Sequence, residues 1–339
     1  MLAARRSAPT LAIAVAVLAA GCSKTGESNS KPSRCQGSSA LCSRPLNSVW
    51  FAATHNSYAA SDQPGWRFAS QNHPISRQLG DGIRALLIDV HFGVRDPSNG
   101  RVRTDFAAEG SEANKVAEAL PALALRVADH VAGGIGLGSS RGRPKLYLCH
   151  TLCELGAEPL QQELGVIADF LRRHPDQVVM LVVEDYVPPS AVAAAFEKAG
   201  LARYAASLRL GEPPPTLGEL VGSGRRLLVF AEKHGGNPAW YMPAFSFIAD
   251  TPLGATRPRQ LSCERFRGGE RSPLLLINHW IPPFPPSPAL NEEIGRAQFL
   301  KSRVARCTHE LDRAAAIVAV DFYQRTSVVA VTRRLNEGS

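Results

Sequence analysis

Two histidines stand directly after short apolar runs. His55 follows Phe51-Ala52-Ala53-Thr54, and His150 follows Leu146-Tyr147-Leu148-Cys149. An imidazole changes charge near neutral pH, so rings on opposite sides of a substrate can take one proton and give another. Asn56, Asp89 and Glu184 are hard oxygen donors in similar places. Oxygen donors without thiolates suit Ca²⁺ or Mg²⁺ rather than zinc. An acid–base pair beside a cation or a lysine suits transfer at phosphorus, where charge on the non-bridging oxygens must be neutralised. Lys233, His91 and Asp321 also follow apolar runs and are assigned to phosphate or substrate contact.

The elements that must position these groups alternate in type. Strands are expected at Val49–Thr54, Arg84–Val90, Lys145–Cys149, Val178–Val183, Arg226–Ala231, Ser246–Ala249, Leu274–Asn278 and Ile317–Asp321. Helices are expected at Ser111–His130, Pro159–His174, Pro189–Ala199, Leu290–Ala305 and Ser327–Leu335. Near-continuous apolar strands between helices indicate a parallel sheet covered on both faces. Roughly eight such strands in ~290 residues suit an α/β fold of the (β/α)8 TIM-type barrel rather than a doubly wound sheet. Neither G-x-G-x-x-G nor G-x-x-x-x-G-K-[ST] follows a strand, so no dinucleotide or P-loop site is expected. In such a barrel, chemistry sits where strands end. The polar residues there are Thr54 to Ser57, Asp89 and His91, His150, Glu184 and Asp185, Glu232 to His234, Asn278 and His279, and Asp321 with Tyr323. By contrast, His130 and His174 fall on expected helices and read as structural, and Asp81 precedes its strand, on the wrong side for chemistry.

The rest of the composition narrows the class. The 339 residues are 45% hydrophobic and 20% charged, which suits a folded domain. No apolar run reaches the ~20 residues of a spanning helix. The formal charge of +8 comes from scattered basic residues, without a nucleic-acid-binding motif, so no nucleic-acid partner is expected. Arg5, Arg6, the apolar Leu11–Ala20 stretch and Leu18-Ala19-Ala20-Gly21-Cys22 resemble a bacterial lipoprotein signal. Residues 1–21 are therefore read as a signal peptide, Cys22 as the acylated residue, 22–45 as a flexible tether and 46–339 as the barrel. Export and a lipid anchor to a membrane of the cell envelope follow from that reading. Of the seven cysteines, Cys22 is assigned to lipid, which leaves an even set. Proximity pairs Cys35 with Cys42 and Cys149 with Cys153, and elimination leaves Cys263 with Cys307. A monomer is the default. Trp240, Tyr241, Trp280 and Phe284 lie among prolines in late segments, placed to meet lipid or to pack on the rim.

Several strings together resemble the phosphatidylinositol-specific phospholipase C X-domain family. Ala53-Thr54-His55-Asn56-Ser57-Tyr58 looks like its first catalytic motif. Gln78-Leu79-Gly80-Asp81-Gly82-Ile83-Arg84 leading into Leu87-Ile88-Asp89-Val90-His91 resembles its second block. Leu148-Cys149-His150, Val182-Val183-Glu184-Asp185-Tyr186 and Val320-Asp321-Phe322-Tyr323 extend the likeness over about residues 46–336. The resemblance implies a distorted barrel and a two-step cleavage of a phospholipid or related phosphodiester through a cyclic phosphate. It makes His55 the general base, His150 the general acid, and Asn56, Asp89 and Glu184 calcium ligands. Leu87 stands where the calcium-dependent branch has a further carboxylate, and His91 where the metal-independent branch has arginine. The alternatives are a glycerophosphodiester phosphodiesterase, whose usual His-Arg-Gly start is replaced by His55-Asn56-Ser57, and a non-catalytic barrel that binds lipid or cell-wall material.

Overall fold

A computed structural model describes residues 32–105, 142–283 and 285–338. The signal peptide, Cys22, the Ser111–His130 helix and Phe284 lie outside the described residues. The strands are β1 (Phe51–Thr54), β2 (Ala85–Arg95), β3 (Val102–Thr104), β4 (Lys145–Leu148), β5 (Glu158–Pro159), β6 (Val179–Asp185), β7 (Leu227–Ala231), β8 (Tyr241–Pro243), β9 (Ile248–Asp250), β10 (Leu274–Asn278) and β11 (Ile317–Val320). The α-helices are α1 (Ile75–Asp81), α2 (Leu160–Arg173), α3 (Pro189–Lys198), α4 (Leu217–Gly222), α5 (Ala244–Phe247), α6 (Pro288–Ile294), α7 (Ala297–Glu310) and α8 (Val328–Glu337).

Parallel pairing runs β8-β7-β6-β2-β1-β11-β10-β9, so the chain returns to its first strand and forms a (β/α)8-type barrel. The β8 and β9 ends of this path are not paired with each other, and only the four-residue α5 joins them. The barrel is thus open at one seam, the distortion that a short β8–β9 connection imposes.

Alternation along each strand sorts the apolar residues into two cores. Phe51, Ala53, Leu87, Met180, Val182, Leu228, Phe230, Leu274, Leu276, Ile317 and Ala319 fill the barrel. Ala52, Leu86, Ile88, Leu181, Val183, Val229, Leu275, Ile277, Val318 and Val320 face outward onto the helices. Each fully buried aliphatic side chain contributes about 1.5–3 kcal/mol, so these two layers dominate the fold's stability. The helix α2 shows why its segment is helical: Leu160, Leu164, Ile167, Phe170 and Leu171 recur at helical spacing and are its buried face.

Three expectations are corrected here. The Lys145–Cys149 run is a strand, but β4 pairs antiparallel with the far end of β2, outside the parallel ring. The place it was expected to fill in the ring is taken by β8, whose three residues are too short to show periodicity. Residues 32–45 are not a free tether: Cys35 and Leu41 are buried in the barrel-filling core, and Gln36 bonds Asp176 and Val178 at the start of β6. The Leu290–Ala305 segment is two helices, broken at Gly295, where a Cβ would run into Thr326. The three expected cysteine pairs are all formed, with Cα separations of 5.1, 5.0 and 4.9 Å.

One buried acid in α2 carries a pH prediction. Burial pushes the Glu163 carboxyl up to about 7, with Glu158 adding repulsion and a Gln63 hydrogen bond pulling it back. The folded value lies above the ordinary 4.5, so folding favours the protonated form. Its stabilising contribution is complete below the ordinary value and is lost as pH rises through about 7. Glu163→Gln should therefore flatten the fall in urea midpoint between about pH 5 and about pH 8. An unchanged slope in that variant would refute the assignment.

Candidate active site

The inward-facing alternation continues one step beyond the barrel core. Two residues past an inward apolar side chain lie His55 on the β1 end, Asp89 on β2, Glu184 on β6 and Glu232 after β7. Asp250 on β9, Asn278 on β10 and Asp321 after β11 occupy the same level. Asp89 and Glu184 are direct neighbours in the β2–β6 register. One polar residue from each of seven strands thus forms the top layer of the barrel, at the end where strand C-termini emerge. His55, Asp89, Glu184, Glu232, Arg267 and Trp280 are among the residues that line a cavity of about 120 Å³ there.

The two histidines meet at this layer although they come from different parts of the sheet. Beyond the barrel β2 continues outward, and β4 runs back antiparallel along it, so the end of β4 returns to the mouth and delivers His150. The ring centroids of His55 and His150 lie 6.3 Å apart at an interplanar angle of 81°. Each Nδ1 donates to an aspartate at 2.9 Å, His55 to Asp321 and His150 to Asp89. Their Nε2 atoms are thereby the ones left for a substrate. The His55 side chain is 19% exposed and that of His150 is 58% exposed, whereas both aspartates are buried.

The backbone turns sharply after each of these residues. Asn56, Thr151 and Phe322 follow His55, His150 and Asp321, and all three have left-handed φ, at 43°, 62° and 48°. Such conformations cost about 1–3 kcal/mol each for non-glycine residues and persist only where the surroundings hold them. Gln71 supplies one hold, its amide donating to the carbonyls of His55 and Val320. The Cys149–Cys153 pair and the Cys153 N–H bond to Thr104 supply another, directly behind His150. Trp280 lies flat on the His55 ring, 4.1 Å between centroids and 6° between planes.

The electrostatics follow from five carboxylates crowded into one layer. Desolvation would push His150 down, but with its edge exposed the hydrogen bond and charge of Asp89 prevail and hold the imidazole above its ordinary value. Burial works against ionisation of Asp89, yet its contacts with His150, and the charges of His91 and His55, hold it low. Burial raises Asp321 despite its bond to His55. Glu232 is pushed up to about 7 by burial, Arg267 opposing and Glu184 and Asp89 adding to the rise. Arg267 bridges Glu232 at 2.8 Å and the fully buried Asp250 at 2.5 Å. Lys233 lies 3.3 Å from Glu184 and over the Tyr186 ring. Asp185 faces away from the cavity and caps the Lys233 and His234 N–H groups, so it holds the loop that carries the lysine.

The structure therefore brings His55, His150, Asp89, Glu184, Lys233 and Asp321 together. Asn56 turns its amide oxygen to the Tyr58 hydroxyl at 3.2 Å, and that hydroxyl also bonds Asp89. Among the described residues no group of three or more His, Cys, Asp or Glu side chains is arranged to hold a metal ion; the predicted set contains only two of those types. His91 is buried and stacked on Tyr186, away from the cavity lining. His279 is buried, accepts from Arg303 at Nδ1, donates from Nε2 to Ile294 and is pushed down to about 3 by burial and by Arg303. It is a neutral packing residue. Tyr241 belongs to β8, and Trp240 packs on Phe196. Sequence reading counted Glu232 among the strand-end polar residues without giving it a role, and did not single out Asp250 or Arg267. Extending the inward period by two residues would have found Asp250, whereas Arg267 lies in a long loop with no periodic signal.

The family model described as PI-PLC X 1 matches residues 125–336. An uncharacterized secreted protein of Arthroderma benhamiae is 25% identical over 340 residues, covering 91% of this chain and 64% of its own. A PI-PLC X domain-containing protein of Arabidopsis thaliana is 23% identical over 319 residues, covering 86% of this chain and 62% of its own. The chain thus spans less than two thirds of the length of either relative. The solved phosphatidylinositol-specific phospholipase C from Listeria monocytogenes superposes with a TM-score of 0.48 at 13% identity, covering 88% of this chain and 97% of that one.

Proposed function

The chain belongs to the PI-PLC X domain family, and on that premise we propose that it is an exported phosphodiesterase acting on a phosphatidylinositol-type lipid or a related phosphodiester. The observation that carries this reading is the facing pair of imidazoles, each anchored at Nδ1 by a buried aspartate. His55 Nε2 takes the proton from a substrate hydroxyl next to the phosphate. That oxygen bonds to phosphorus, the bond to the departing alcohol breaks, and His150, held protonated by Asp89, donates its Nε2 proton to the leaving oxygen. The product is a cyclic phosphate, and the reverse roles let His150 activate water to open it. Asp321 fixes the His55 tautomer and supports the charge the ring acquires.

Neutralisation of the phosphate falls to the cations of the top layer. Lys233, Arg267 and the protonated His150 stand against five carboxylates, Asp89, Glu184, Glu232, Asp250 and Asp321, and the substrate adds a further negative charge. That excess, and the hard-oxygen donor set, fit a divalent cation. Asp89 and Glu184, joined by Asn56 once its amide oxygen turns from the Tyr58 hydroxyl, would hold Ca²⁺, which would supply charge neutralisation at the non-bridging oxygens. Export is supported by the cystine pairs and by the lipobox-like start of the sequence, which would place an acylated Cys22 at a membrane surface.

The test offers phosphatidylinositol, glycerophosphodiesters and phosphatidylcholine side by side, each in chelator and with Ca²⁺ restored. Water-soluble inositol phosphate and diacylglycerol are expected from the first lipid, with Ca²⁺ required. Cleavage of glycerophosphodiesters alone would displace the lipid reading. Full activity in chelator would remove the ion and leave neutralisation to Lys233 and Arg267.

A further inference from the structure

A larger cleft, of about 810 Å³, lies outside the site just described, between the loop that follows β9 and the helix α7. Its lining includes Arg259, Arg296, Arg303 and Arg306, with Glu293 as the one carboxylate. Arg303 is only 3% exposed, yet its partners are all neutral. Its guanidinium bonds the carbonyls of Asn278 and Ser262 at 2.9 Å and His279 Nδ1 at 3.0 Å, and its Nε has no hydrogen-bond acceptor. Burial pushes it down to about 10 and the charge of Arg306 adds to the effect, with no carboxylate to offset either. A buried cation without a counter-charge is expensive, by several kcal/mol in typical proteins. Among the described residues Arg259 and Arg296 form no ion pair, and the Glu310 contact of Arg306 is long, at 3.8 Å. Arg296 is also the N-cap of α7 and gives the helix no side-chain cap, so the positive end of a 14-residue helix opens on the same cleft. The Cys263–Cys307 bridge staples the two walls together.

We propose that this cleft binds a phosphate-bearing anion at a site separate from the catalytic cavity. Guanidinium groups offer paired N–H donors that match phosphate oxygens, and the anion would supply the counter-charge that Arg303 lacks. The helix α7 follows β10, so its first turn lies at the same barrel end as the histidines. The ligand is therefore either a soluble phosphate ester or the phosphate of an anionic lipid lying beside the mouth. Through Arg303 the cleft touches the Asn278 carbonyl, and the Asn278 amide reaches Asp250, the partner of Arg267.

Two probes test this on the full chain. Inorganic phosphate is titrated calorimetrically, and vesicles of phosphatidylcholine with or without phosphatidic acid are co-sedimented. Both are repeated with an R259Q/R296Q double variant, whose changed side chains are exposed and outside the catalytic layer. Loss of two charge-assisted contacts is expected to weaken binding by about tenfold or more, while turnover of a soluble phosphodiester stays unchanged. Weakening with inorganic phosphate alone assigns a soluble ester, and weakening with phosphatidic acid vesicles assigns a lipid. Equal binding by the native chain and the double variant with both probes, or no binding by the native chain, would overturn the proposal.

Discussion

His55→Ala is expected to lower kcat by about 10²–10⁴-fold with the fold intact, and His150→Ala by a similar factor. Each ring covers one proton transfer, so either loss leaves one half of the reaction uncatalysed. The double variant should be little worse than the singles, because the two rings act as a unit. The fold survives for a specific reason. Removing His55 leaves Asp321 buried, but burial already holds that carboxyl above its ordinary value, so it takes up a proton rather than remaining an unpaired charge. His150 is largely exposed, and its removal leaves only Asp89 to rearrange toward Tyr58. Steady-state kinetics on phosphatidylinositol, with circular dichroism as the control for folding, decides the matter. Retention of near-native kcat by either variant removes that ring from the acid–base scheme.

Arg267→Met should destabilise the protein by about 3–5 kcal/mol, the range for breaking one half of a buried ion pair. Asp250 is wholly buried and would keep only the backbone N–H of position 267 and the Asn278 amide as hydrogen-bond donors, without any cation. Glu232 loses its counter-charge as well, but its carboxyl is already pushed up to about 7 and can be neutralised by protonation. Asp250 is therefore the residue that sets the cost. Arg267→Lys should recover only part of it, because a single ammonium cannot span two carboxylates as the guanidinium fork does. Urea unfolding of the three proteins measures this, and a loss below about 1 kcal/mol in Arg267→Met would show that Asp250 finds another partner.

Much of the barrel was legible because its strands are short-range signals. Leu274–Asn278 and Arg226–Ala231 are apolar runs that any register would bury, and the polar residues behind them stand out against that background. The corresponding failures are also physical. The β4 run has the composition of a barrel strand, but its antiparallel pairing with β2 depends on where the chain comes back to, which local pattern does not encode. At three residues, β8 is shorter than the period needed to detect it. The tether reading of residues 32–45 failed because a polar composition hid Cys35 and Leu41, which reach the barrel core.

Local chemistry in the chain determined which groups are available: imidazoles, oxygen donors and cysteines at the ends of apolar runs. Only the curled sheet decided which of them meet. The β1–β11 pairing sets Asp321 against His55 across 266 positions of chain, the β2 arm returns His150 to Asp89, and a loop arginine finds two acids of the top layer. The reason is that a side chain's identity is a property of one residue, whereas a 2.9 Å contact is a property of how distant segments are packed, and that is set by burial of the whole core rather than by the residues that touch.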